Sequence, residues 1–306
     1  YRSSRGLGDV YKRQAPAAAQ RYFVHRYGPR EGLPTSDITS MAQDASGRLW
    51  LATRIGLLTY DGFSWDDAQP EILETWERVV RLRADERGVL WAATGTRLLR
   101  HDGQEWSATP RYQEDGTKGQ DDLADLVLVK RGRETIPFLA FHPGELKYLV
   151  AGSWHTIDLR LGSPTMRLQT IGVHRESILV GTNEKLLVLD PSTHATRELL
   201  VEGSRFATYG LTNDGESVIA IGADRVATIA SAADGKRVAR WRCAPGLFDL
   251  AARRMTWRLN VAADGHGGVY FGHMSFLAHL RGGDDLKVLG RQHGFSAVGI
   301  HSIAID

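Results

Sequence analysis

The sequence predicts an all-β fold, a β-propeller built from four-stranded blades. Three observations carry that expectation. A phrase of apolar strand, Asp, Gly turn and aromatic strand recurs about every 41–45 residues. The segments between turns alternate apolar and polar residues with period two. No stretch sustains the 3.6-residue stripe of an amphipathic helix.

The first repeat is the clearest. Ile38–Gln43 reads as a strand, Asp44-Ala45-Ser46-Gly47 as a tight turn, Leu49–Thr53 as a second strand carrying Trp50, and Leu57–Tyr60 as a third. A worn outer strand follows Phe63. In the second repeat Asp85, Gly88, Trp91 and Asp102 each stand 41 residues after Asp44, Gly47, Trp50 and Asp61. Four anchors in one register define a repeat. Asp before the turn is expected to cap backbone N–H groups, Gly to supply positive φ, and the aromatic to pack between neighbouring blades.

Later repeats keep fewer anchors. The third, read around Leu146 to Ile157, is the weakest. Gly181-Thr182 before Asp190 marks the fourth, Asn213-Asp214-Gly215 the fifth, and Asp264 to Tyr270 the sixth, with Tyr in the Trp place. The run Gly294–Asp306 overlies Gly32–Asp44 at an offset of 262 residues, six repeats of about 44. The expected molecule therefore holds six blades and the start of a seventh, with Tyr22–His25 as the strand completing the last blade. Repeats of this length with four strands each are what radial blades require.

The chain has 306 residues with 33 Gly, 8 Trp and a single cysteine, Cys243, so no internal disulfide is possible. Residues 1–14 fit no repeat and read as a non-native sequencing scar. Ala15–Gln20 reads as the end of a signal peptide cleaved after Ala19. Residues 21–306 are assigned to an incomplete propeller whose open strand edges would favour aggregation or dimerisation. Without residues 1–14 the chain has 34 basic and 35 acidic residues, a net charge of −1. That balance offers no electrostatic case for nucleic acid or an anionic membrane surface. No apolar run approaches the ~18 residues of a membrane span.

Chemistry-bearing motifs are sparse. There is no His-Glu-x-x-His helix, no Gly-x-Ser-x-Gly elbow, no phosphate-cradling loop and no cysteine pair. His266, His273, His279, His293 and His301 crowd the C-terminal part without metal-ligand spacing. No catalytic residue, metal or cofactor is assigned. Ala42, Asp44, Gly47 and Trp50 share residue types with the docking phrase of quinoprotein dehydrogenases, but both gaps are one residue shorter.

The run Glu31–Ile38 (EGLPTSDI), followed by Gln43–Thr53 and Gly56–Gly62 (GLLTYDG), resembles the two-component regulator propeller repeat. The likeness is nearly complete in the first repeat, loses the Gly-Leu-Pro opening in the second and fades afterwards. It implies a periplasmic, ligand-sensing module of a membrane-bound bacterial signal transduction protein, of the sensor kinase or diguanylate cyclase type. The chain itself would bind without catalysis. Membrane attachment would lie only in segments downstream, and a homodimer would form through the full-length protein. The alternatives are a secreted propeller lyase or hydrolase, and a protein-binding scaffold.

Propellers bind small ligands at loops near the axis, over a rigid scaffold. The loops between second and third strands, with those joining blades, are expected to present Arg54, Trp76, Arg97, Trp154, His155, Asn183 and His273. Arg and Trp would grip a carboxylate or stack on a sugar, so the expected ligand is a small molecule or oligosaccharide.

Overall fold

In the computed structural model the described residues are 27–74, 77–111, 123–215, 217–232, 237–242, 259–273, 276–281, 285–289, 300 and 302–304. They form six four-stranded antiparallel sheets, each a meander of consecutive strands. The first blade holds β1 (Ile38–Gln43), β2 (Leu49–Thr53), β3 (Gly56–Tyr60) and β4 (Trp65–Asp67). The second holds β5 (Val79–Ala84), β6 (Leu90–Thr94), β7 (Arg97–His101) and β8 (Trp106–Pro110). The third holds β9 (Leu123–Arg131), β10 (Glu134–Phe141), β11 (Glu145–Val150) and β12 (Ser153–Asp158). The fourth holds β13 (Leu168–His174), β14 (Ser177–Thr182), β15 (Leu186–Leu189) and β16 (Thr196–Glu198). The fifth holds β17 (Gly210–Asp214), β18 (Ser217–Ile221), β19 (Val226–Ser231) and β20 (Arg237–Trp241). The sixth holds β21 (Asn260–Ala263), β22 (Val269–His273), β23 (Phe276–Leu280) and β24 (Leu286–Leu289).

The repeat anchors have the expected physical roles. Asp44 accepts from the backbone N–H groups of Ser46 and Arg48 at 2.9 and 3.1 Å, and its other oxygen accepts from Trp50 Nε1 at 2.8 Å. Burial works against the charge of Asp44. Bonds from Ser46, Trp50 and Arg48 outweigh it and lower the pKa. Gly47 and Gly88 hold φ of 81° and 77°, the left-handed region their turns demand. At the opposite end of β2, Thr53 Oγ1 donates to the Gly56 carbonyl at 2.8 Å and closes the next turn. Thr182 does the same in the fourth blade, to Lys185 at 2.7 Å.

The core lies between blades. Trp50 packs with Leu82, Leu90 and Leu99 of the second blade and meets Trp106 edge-on at 5.7 Å. Trp91 packs with Leu126, Leu139 and Phe141 of the third. Tyr270, in the equivalent place, stacks on His279 at 3.9 Å within its own blade, and His279 is held by Asp264 at 2.8 Å.

A second set of contacts runs around the axis. The innermost strands carry equivalent residues at Ser40, Arg81, Asp125, Thr170, Gly210 and Asn260, opposite Ala52, Ala93, Ala140, Gly181, Ile221 and Gly272. Ser40 Oγ accepts from Leu82 N at 3.0 Å. Arg81 donates twice to the Ala124 carbonyl, at 3.0 and 2.7 Å. Asp125 accepts from Ile171 N at 3.3 Å. At Gly210 an added Cβ would fall 2.2 Å from Val261 Cγ2, so the close approach of the sixth blade requires glycine. Asn260 Nδ2 donates to the Ile300 carbonyl at 2.8 Å, and Ser302–Ala304 line the axial channel beside the six innermost strands.

Among the described residues six complete blades are observed, the number of full repeats in the sequence, with the segment around Ile300 and Ser302–Ala304 following the sixth. Tyr22–His25, the scar, the signal-peptide segment and much of Gly294–Asp306 lie outside the described residues. The third blade corrects the sequence reading. Its strands run from Leu123 to Asp158, so Leu146–Ile157 covers only the third and fourth of them, joined by the turn at Ala151-Gly152.

Candidate functional site

The axial channel encloses a cavity of about 630 Å³. The first and fourth blades put small residues, Ser40 and Ala42, Thr170 and Gly172, where the second places Arg81 and Arg83. Arg83 lines the cavity with about a third of its side chain exposed. Its NH1 donates to the Leu82 carbonyl at 3.0 Å and its NH2 to Asp125 Oδ1 at 3.3 Å. Its Nε–H has no partner among the described residues. Asp125 is buried and further occupied by Leu126 N at 2.9 Å and by Thr170 Oγ1 at 3.3 Å. The carboxylate thus positions Arg83 while its own lone pairs are used, and the guanidinium retains capacity toward the channel.

The face formed by the turns between second and third strands carries most of the residues expected there. Arg54 pairs with Asp37 at 2.9 Å, both largely exposed. Arg97 is engaged in a clamp. It meets Glu77 at 2.6 Å and the Ile72 carbonyl at 2.9 Å, pinning the loop between β4 and β5 onto the second blade. Glu77, with its side chain buried, also accepts from Thr94 Oγ1 at 3.2 Å and from Thr96 Oγ1. Burial raises its pKa. The bonds from Thr96, Arg97 and Glu74 and the Arg97 charge more than reverse that, so the carboxyl titrates below the ordinary glutamate value. Asn183 ties the turn between β14 and β15 to the segment leading into β13, accepting from Arg167 N at 2.7 Å and donating to Thr165 O at 3.1 Å. His273 ends β22, paired with Phe276. Trp76 lies outside the described residues.

Trp154 and His155 do not share that face. They sit on the outermost strand of the third blade, where Trp154 Nε1 donates to the Pro110 carbonyl at 2.6 Å and His155 stacks on Tyr148 at 5.0 Å. Sequence reasoning also passed over Arg81, Arg83 and Asp125. The signal was present: counting 41 residues from Ser40 and Ala42 lands on the two arginines. Among the described residues no group of three His, Cys, Asp or Glu side chains could hold a metal ion.

Comparison with known proteins agrees with this architecture. Residues 32–54 match the family model described as two component regulator propeller. The extracellular domain of the one component system BT4673 from B. thetaiotaomicron shares 18% identity at a TM-score of 0.60, over 90% of this chain and 36% of that one. That of the hybrid two component system BT3049 from the same organism shares 14% at 0.57, over 92% and 38%. The chain therefore spans little more than a third of those domains. Virginiamycin B lyase from Staphylococcus aureus shares 10% at 0.62, over 88% and 89%. A search of the curated proteins found no match. Taken with the turn chemistry of the first blade, residues 32–54 are a two-component regulator propeller repeat, set in a chain of propeller fold.

Proposed function

We propose that this chain is the extracytoplasmic sensing part of a bacterial signal transduction protein and that it binds a small polar solute at the axial channel. The observation that carries the binding site is the pair Arg81 and Arg83, placed in one blade where the first and fourth carry small residues and oriented by Asp125. Arginine there is not needed to close the propeller, since Ser40 and Thr170 occupy the same place. The two-component regulator repeat at 32–54 supports the signalling context. A cavity of this size suits a ligand of one to three small rings. The bond from Asn260 to the Ile300 carbonyl supports reading that segment as the innermost strand of a seventh blade.

The test is isothermal titration of the chain with a panel of neutral sugars, amino acids and dicarboxylates. Saturable binding by one class, weakened tenfold or more by Arg83→Ala, is the expected result. Binding that Arg83→Ala leaves unchanged would remove the channel from consideration.

The second reading, a lyase, is favoured by the near-complete mutual coverage with virginiamycin B lyase and by one dyad. His279 is held by Asp264 beside a cavity of about 440 Å³ that also includes Tyr270. Turnover of virginiamycin B that is abolished by His279→Ala would establish it.

A further inference from the structure

We propose an oxyanion-binding site in the cleft between the fourth and fifth blades, formed by Arg175, Arg197 and Arg237 with Ser177, that takes a tetrahedral dianion such as phosphate or sulfate. The strand register sets the geometry. Val188, paired with Arg197, packs in the cluster shared with the fifth blade, so Arg197 projects into that cleft. Ala239 packs in the same cluster from the other side, and Arg237 lies two residues before it on β20, on the same side of the sheet. Arg237 crosses the cleft. Its Nε donates to His174 Nδ1 at 3.3 Å and its NH2 to Ser177 Oγ. Arg175 sits between them, in the turn joining β13 and β14, at a φ of 56°.

The charges do not balance. Among the described residues no carboxylate lies within ion-pair distance of these three arginines. Among the described residues Asp190 is a carboxylate whose field acts favourably on Arg237, and it already accepts from Ser192 N and Thr193 N at 2.8 and 3.3 Å. Burial, then the charges of Arg197 and Arg175, push the pKa of Arg237 down. A guanidinium does not deprotonate near neutrality, so the strain is relieved by a counter-anion. Three guanidinium groups from three different elements offer donors in different planes, which suits a tetrahedral anion over a planar carboxylate. Ser177, whose Oγ accepts from Arg237, leaves its own hydroxyl proton to donate.

The test is isothermal titration of the full chain with inorganic phosphate, sulfate, glycerol 2-phosphate and succinate, at constant ionic strength held with chloride. Saturable binding of phosphate or sulfate is expected, at least tenfold tighter than succinate. Arg197→Gln changes an exposed side chain on an outer strand and keeps the fold, which circular dichroism would verify. It should weaken binding tenfold or more, as should Arg175→Gln, while Arg160→Gln on the third blade leaves it unchanged. Tighter binding of glycerol 2-phosphate than of phosphate would support the same site with an esterified ligand as its natural occupant. No saturable heat, equal affinity for succinate, or equal loss in Arg160→Gln would overturn the proposal.

Discussion

Gly47 and Gly88 stand 41 residues apart with nearly the same φ, yet their surroundings differ. A Cβ on Gly47 would meet nothing nearer than Gln43 Nε2 at 3.8 Å, whereas one on Gly88 would fall 2.3 Å from the Ala45 backbone nitrogen of the neighbouring turn. Gly47→Ala should cost about 1 kcal/mol, the ordinary cost of a left-handed non-glycine residue. Gly88→Ala should cost well above that, and urea denaturation of the two variants would separate steric overlap from backbone strain. Asp44→Ala should cost about 1–3 kcal/mol, because it strands the N–H groups of Ser46, Arg48 and Trp50. These anchors were legible because each acts within a few residues of its own position. Arg83 was not, because its meaning lies in Asp125, a residue of the next blade.

At the scale of the element, the loop after β4 is held to the second blade by the clamp of Arg97 on Glu77. Glu77 is charged at neutral pH and its pKa is lowered in the folded chain, so its contribution is complete above the ordinary glutamate value. The contribution fades as pH falls through the depressed one. Glu77→Gln should therefore lower thermal stability at pH 7 by the equivalent of about 2 kcal/mol, and the gap from the wild type should close toward pH 3. A constant gap across that range would show that Glu77 acts through shape alone. The same scale explains the misread third repeat. Its first two strands are long, at nine and eight residues, and they meet at a turn without the preceding Asp. The second ends in Phe141 and His142-Pro143 where its neighbours end in Thr. The anchors are missing there, so the sequence reading, placed around Leu146 to Ile157, covered only the third and fourth strands, and Trp154 and His155 lie on the outermost strand rather than on the turn face.

Across the whole molecule, each blade is stabilised chiefly by its neighbours, as in other repeat architectures. Trp91→Ala removes the aromatic between the second and third blades and should cost about 3–5 kcal/mol. Amide exchange should rise in β5–β12 while β17–β19 keep their protection. Uniform loss of protection would show that the blades open only together. Blade number and topology followed from the repeat and the turns, whereas the occupants of the inter-blade clefts depend on which side chains two distant segments bring together.

The bonds around the axis also have a direction. Ser40, Arg81, Asp125 and Asn260 each reach a backbone group of the segment that follows in the chain. During synthesis the N-terminal strands leave the ribosome first, with these polar groups still hydrated, and each waits for a partner not yet translated. The second, third and fourth blades, and the segment after the sixth, then supply what the element before each of them lacks. The propeller is expected to assemble as a ratchet from the N-terminus, each step holding the one before it.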